Sequence, residues 1–333
     1  MHSTHSTAPR MVRVTLVHHG VAYGLRLTGE FPAPGLWSGV GAADMRVASL
    51  EIVSPASIGR SWPARRDEPP LRSPVKGGAP ALTLDTHPHN GCLVRADGFG
   101  ACLIHPDGRR LLVAPGDVEP WRWQRLLLAQ AVPVAALLQG LELFHASAVQ
   151  LDGRVLAFTG PSGAGKTSVA ARLLLAGAAF VADDVLALER EGDAVIAHPG
   201  PALMNLREST MRSFDADELA ELGVELGRDE GGSRLRVRRK AHARPLHAIY
   251  VLRKRPGHTG DVRIKRLSPP SPAQLLGAGF GSAIRTPERL VRRLDLCAHV
   301  ARCVPVFELE APAQGPPDAV AEAVLRHGRR RLE

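Results

Sequence analysis

Aromatic residues are scarce in this chain of 333, making up 4% of it with only two Tyr and four Trp. A surface that grips single-stranded nucleic acid by stacking needs several such rings, so the composition speaks against one. Cysteine is equally sparse. Cys92, Cys102, Cys297 and Cys303 show neither C-x-x-C spacing nor the density of a disulfide scaffold, which fits a reducing compartment and ordinary buried thiols. Long apolar runs are also lacking. The most hydrophobic stretch, Leu126 to Leu138, contains Gln130 and Pro133 and falls short of the ~20 residues that a spanning helix needs. The opening segment, Met1 to Arg10, is polar and has no apolar export core. The expectation is therefore a cytoplasmic protein with no membrane partner.

What the chain has is a globular balance: 44% hydrophobic and 23% charged residues exclude disorder and coiled coil, and the length suits about two domains. Lys and Arg number 42 against 33 Asp and Glu, a net charge of +9 that favours anionic ligands without choosing among them. Residues 1–118 read as a β-rich unit. Val12 to Leu27, Val47 to Val53 and Ala81 to Thr86 are strand-like, Cys92 to Val113 carries Asp97-Gly98 and Asp107-Gly108 turns, and Ser54 to Pro80 reads as loop.

From residue 119 the texture becomes α/β. The periodicity predicts a helix from Pro120 to Gly140, kinked at Pro133, then a hairpin of His145 to Gln150 and Arg154 to Thr159 around Asp152-Gly153. Further strands are predicted at His247 to Leu252, Val262 to Lys265 and Val304 to Leu309. Helices are predicted at Pro272 to Leu276 and Pro287 to Ala301, the second with Thr286 as its cap.

The strand ending at Thr159 feeds Gly160, Pro161, Ser162, Gly163, Ala164, Gly165, Lys166 and Thr167, a match to G-x-x-x-x-G-K-[ST] with the required strand before it and helix after it. Gly160, Gly163 and Gly165 allow positive φ, so that successive N–H groups can line an anion-binding concavity at a helix N-terminus. Lys166 adds a mobile positive charge for the β- and γ-phosphates, and Thr167 offers a hydroxyl to Mg²⁺. Shortly downstream, Phe180-Val181-Ala182 delivers Asp183 and Asp184 at a strand end. One carboxylate could hold Mg²⁺ and the other accept a proton from an attacking hydroxyl; alternatively the pair is a solvated turn. A transport ATPase is disfavoured, because its acidic strand lies farther from the loop and no LSGGQ-type signature is present.

Together, His145-Ala-Ser-Ala-Val, the loop from Gly160 through Ser168, Gly177 and Val181-Ala-Asp-Asp-Val185 resemble the catalytic domain of HPr kinase/phosphorylase and its relatives, including kinases associated with lasso-peptide biosynthesis. The likeness runs from His145 to Leu206 and is looser beyond. It implies an α/β P-loop nucleotide-binding domain of the HPr kinase/phosphoenolpyruvate carboxykinase type over 119–333, preceded by the smaller β-rich unit, and an ATP- and Mg²⁺-dependent kinase of a serine-type hydroxyl.

On the same resemblance Asp183 is the general base and Asp184 a metal ligand beside Thr167. His145 lies near the base, and Lys166, Thr167 and Ser168 belong to the nucleotide site. Read from the residues alone, His145 is as well explained as a packed strand histidine. Asn205 stands where the family has a metal-binding glutamate, and Glu208-Ser-Thr-Met replaces the glycine-rich signature of the protein-phosphorylating members. A peptide or small hydroxyl-bearing substrate is therefore expected rather than HPr, and relatives often assemble as homo-oligomers. The basic run Arg234, Arg236, Arg238, Arg239, Lys240 and Arg244 either borders the crevice or is a solvated loop, and no nucleic-acid motif accompanies it. The rival reading is a nucleotide-binding regulatory protein without kinase activity.

Overall fold

Tight turns set the strand pairing throughout. A computed structural model describes residues 18–29, 31, 34–36, 45–62, 71–72, 82–239, 241–255, 261–281, 284–312, 315 and 317–331. The N-terminal strands are β1 (His18–Ala22), β2 (Leu25–Gly29), β3 (Arg46–Ile52), β4 (Leu71–Arg72), β5 (Leu82–His87), β6 (Gly91–Ala96), β7 (Gly100–Ile104) and β8 (Arg110–Pro115). They form an eight-stranded mixed sheet in the order β1-β2-β3-β8-β7-β6-β5-β4. Tyr23 and Gly24 join the first two with φ of 54° and 74°, the double positive φ of a type I′ hairpin.

The segment expected as loop, Ser54 to Pro80, contains helix α1 (Pro55–Ser61) and β4, while 63–70 and 73–80 lie outside the described residues. The signal was present: the Ser54 side chain accepts from Ser57 N at 3.3 Å and Pro55 occupies the first turn. The predicted Pro133 kink takes the form of a widened π turn, Leu127–Ala131, between α2 (Pro120–Leu126) and α3 (Val132–Leu138), and Gly140 follows with φ 99°. These helices bury Trp123, Leu127, Leu128 and Leu137 in one core with Leu25, Leu27, Ile104 and Leu111 of the N-terminal sheet.

The remaining elements are β9 (Glu142–Phe144), β10 (Ser147–Leu151), β11 (Arg154–Thr159), α4 (Lys166–Leu175), β12 (Ala179–Ala182), β13 (Leu186–Glu191), β14 (Ala194–His198), β15 (Leu203–Leu206), α5 (Glu208–Met211), α6 (Ala216–Leu222), β16 (Gly223–Asp229), β17 (Gly232–Val237), β18 (Arg244–Arg255), β19 (Arg263–Leu267), α7 (Pro272–Gly277), α8 (Pro287–Cys303), β20 (Val306–Pro312) and α9 (Pro317–Arg331). A nine-stranded sheet runs β12-β10-β11-β18-β14-β13-β9, and β20 joins β18 on its far side and carries β19.

Asp152 and Gly153, at φ 48° and 78°, make the predicted hairpin. Because β10 is antiparallel to both β11 and β12, those two strands run parallel to each other and end on the same edge of the sheet. A separate three-stranded sheet, β15-β17-β16, stands beside that edge. No helix among the described residues is long and apolar enough to cross a membrane.

Candidate active site

The shared edge brings three chain segments together. Thr159 ends β11 and opens the glycine loop, Ala182 ends β12 and delivers the aspartates, and Ser147 starts β10 between them. Gly160, Gly163 and Gly165 hold φ of 142°, 85° and 101°. At Gly160 a side chain is doubly barred, since its Cβ would stand 2.6 Å from Leu252 O. Gly165 caps α4, whose Val169, Ala170, Leu173 and Leu174 anchor the helix in the core with Phe158 and Phe180.

Lys166 is buried and donates to Gly160 O at 2.9 Å and to Pro161 O at 3.4 Å, so its ammonium lies across the loop. Burial lowers its pKa, against the opposing pull of Asp184 and Asp183. Pro161, Ser162 and Gly163 are exposed, and Arg207 Nη2 donates to Ser162 Oγ at 3.0 Å. Ala164 N closes the loop on Pro161 O at 3.1 Å, and Ser168 Oγ stands 3.4 Å from Thr210 Oγ1.

Asp183 faces this loop. Its Oδ1 accepts from Thr167 Oγ1 at 2.8 Å and from Ser147 Oγ at 2.7 Å, while Oδ2 accepts from Asn205 N at 3.2 Å. Burial and the neighbouring Asp184 charge push its pKa up, and the three donors pull it back down. Asp184 turns away: Val185 N bonds Asp183 O at 3.0 Å across it, a γ-turn that holds Asp184 at φ 98°. Its side chain is 46% exposed, and His145 Nδ1 lies 3.0 Å from Asp184 O and 3.2 Å from its Oδ1. A carbonyl oxygen can only accept, so Nδ1 carries a hydrogen.

The residues read from the sequence thus converge on one edge, with Asn205 contributing its main-chain N–H to Asp183. Sequence reasoning missed Ser147, although it lies inside the quoted His145 motif, and it missed Tyr23. The tip of the β1–β2 hairpin, pinned by Tyr23 N to Pro199 O at 2.7 Å, buries the phenol near the aspartates, and burial together with the Asp184 charge raises its pKa. The basic run is not one patch. Arg234 is 5% exposed on β17, Arg236, Arg238, Arg239 and Arg244 are exposed, and Lys240 lies outside the described residues.

A cleft beside the loop is lined by Ala164, Gly165, Ser168, Val169, Leu252 and Leu309, apolar on one wall and open to the helix N-terminus on the other. No family model matches the chain, and no curated protein matches it. Among solved structures the chain is similar to the Hpr(Ser) kinase/phosphatase from Coxiella burnetii, with 14% identity over 57% of this chain and 99% of that one and a TM-score of 0.33.

Proposed function

We propose that this protein is an ATP-dependent kinase that transfers the γ-phosphoryl group to a hydroxyl of a peptide or small molecule. The observation that carries the reading is the bond between Thr167 Oγ1 and Asp183 Oδ1 at 2.8 Å, which ties the glycine loop to the aspartate pair. The donor set around it fits Mg²⁺, a cation that takes hard oxygen ligands and keeps few of them from the protein. Thr167 and Asp183 would hold the ion, which supplies charge neutralisation at the phosphates when bound. The loop N–H groups and Lys166 would bind the triphosphate, with the nucleoside along the cleft at Leu252.

What each carboxylate touches supports the opposite division of roles from the one implied by the resemblance. Asp183 is buried and fixed by donors from Thr167, Ser147 and Asn205, whereas Asp184 is half exposed and braced by His145. Asp184 would therefore take the hydroxyl proton as the acceptor oxygen bonds to the γ-phosphorus and the bond to the β,γ-bridging oxygen breaks, releasing ADP.

Lys166→Ala tests the kinase reading: the variant should keep its fold while ADP release falls roughly 100- to 1,000-fold. Undiminished turnover in that variant would overturn it. Asp183→Asn should raise the Mg²⁺ requirement and Asp184→Asn should lower kcat with the Mg²⁺ requirement unchanged; the reverse pattern restores Asp183 as the base. A regulatory protein without catalysis would bind Mg-ATP and release no ADP with any hydroxyl compound.

A further inference from the structure

Arg234 is buried to 95% and, among the described residues, its guanidinium makes no hydrogen bond or ion pair; its Nη1 is sealed from solvent without a partner. A buried guanidinium nitrogen without a hydrogen-bonding partner is costly and calls for an explanation, a bound anion among them. Burial and then the repulsion of Arg125 bring its pKa down to about 10, against the opposing pull of Tyr23, Asp183 and Asp184, so it is still charged at neutral pH. Both arginines line one cleft with Trp121, Asn205, Asp229 and Gly231, between α2 and the three-stranded sheet. The carboxylate there is already engaged: Asp229 accepts from Gly231 N at 2.9 Å and lies 3.7 Å from Arg125.

The cleft adjoins Asp183 through Asn205, which lines it and donates its N–H to that carboxylate. One Asp183 oxygen faces Thr167, and the other faces Asn205 N on β15. Asn205 pairs directly with Arg234 across the β15–β17 ladder, so their side chains share a face. In-line transfer requires the acceptor to approach from the side opposite the departing ADP. We infer that this cleft seats an anionic group, a carboxylate or a phosphate, borne by the hydroxyl acceptor, with Arg234 as its buried partner and Arg125 as its outer one. The inference rests on the kinase reading, and it gives helix α2, through Trp121 and Arg125, half of the acceptor site.

The test uses the full chain saturated with magnesium and a non-hydrolysable ATP analogue, so that the glycine loop is filled, and follows glycerol, glycerate and glycerol phosphate by ligand-observed NMR. Glycerate or glycerol phosphate should bind at least about tenfold more tightly than glycerol, and the tighter of the two identifies the anion. Arg234→Met should erase the preference and Arg125→Gln should weaken it about tenfold, with analogue affinity unchanged in both. Equal affinity for all three probes, or an intact preference in the variants, overturns the inference. If Arg234→Met does not fold, the partly exposed Arg125→Gln decides alone. A persisting anion preference in a protein that releases no ADP would sink the kinase reading and leave the anion seat standing.

Discussion

Thr167 donates its hydroxyl hydrogen to Asp183 Oδ1, and Ser147 donates to the same oxygen from the start of the neighbouring strand. Ser147 thereby orients a proposed cation ligand without touching the cation. Such supporting partners typically account for 10- to 100-fold in metal affinity. Ser147→Ala should therefore raise the Mg²⁺ concentration for half-maximal ADP release about tenfold, with Ser147→Thr restoring part of it, as a magnesium titration of turnover would reveal.

Gly160 combines a φ of 142° with a Cβ position 2.6 Å from Leu252 O. Gly160→Ala should push the loop off β18 and lower nucleotide affinity by about tenfold or more, whereas Gly163→Ala meets open space and carries only the strain of φ 85°, of order 1 kcal/mol. Nucleotide binding of the two variants, measured side by side, checks the ranking.

Asp184 sits at φ 98°, where a Cβ is strained by about 1 to 3 kcal/mol. Asp184→Gly should raise the melting temperature while turnover collapses. A stabilised, inactive variant would mark the turn as held for its carboxylate; a destabilised one would show that the His145 contact outweighs the strain.

Strand β3 is clamped to β13 and β14 by Glu189, which lies 2.5 Å from Arg46 Nη2 and 3.0 Å from His198 Nε2. The hydrogen bond from His198, then those from Arg46, hold its pKa down at about 2, below the ordinary 4.5. A depressed carboxylate pKa contributes stability that is fully present above the unfolded value and is lost as pH falls through the folded one. Glu189→Gln should therefore cost roughly 2 kcal/mol at pH 6 and progressively less between pH 4.5 and 2, read from urea denaturation across that window.

Glu142 is 2% exposed and pairs with Arg289 at 3.4 Å and Arg292 at 3.1 Å, fastening α8 to β9. Arg289 also donates to Phe280 O at 2.9 Å and to Gly281 O. Removing the carboxylate leaves two guanidinium groups facing each other, so Glu142→Ala should lose about 3 to 5 kcal/mol in denaturant unfolding.

The elements after residue 119 that could be read from the chain have local signals, whereas β9, β13 to β17, α5, α6 and α9 were not read from it. Asp152-Gly153 dictates its turn, Thr286 and Pro287 set the start of α8, and the Gly-Lys-Thr loop fixes α4. The convergence of Asp183 with Thr167 rests on β12 running parallel to β11 across β10, a long-range pairing that no window of residues displays. Arg234 was hidden for the same reason. Within the basic run it looks like its neighbours, and only the β15–β17 register separates the buried arginine from the exposed ones. The helix at Pro55 was missed although Ser54 is a good cap, because the surrounding Pro, Arg and Ser composition outweighed one local signal.

The inserted hairpin tip has a dielectric consequence. With its phenol packed beside Gly200 and its amide held by Pro199, Tyr23 puts a buried ring within electrostatic reach of Asp184 and Asp183. Excising the β1–β2 ribbon would expose that wall to solvent, and the charges gathered at this sheet edge would then act through a medium several times more screening.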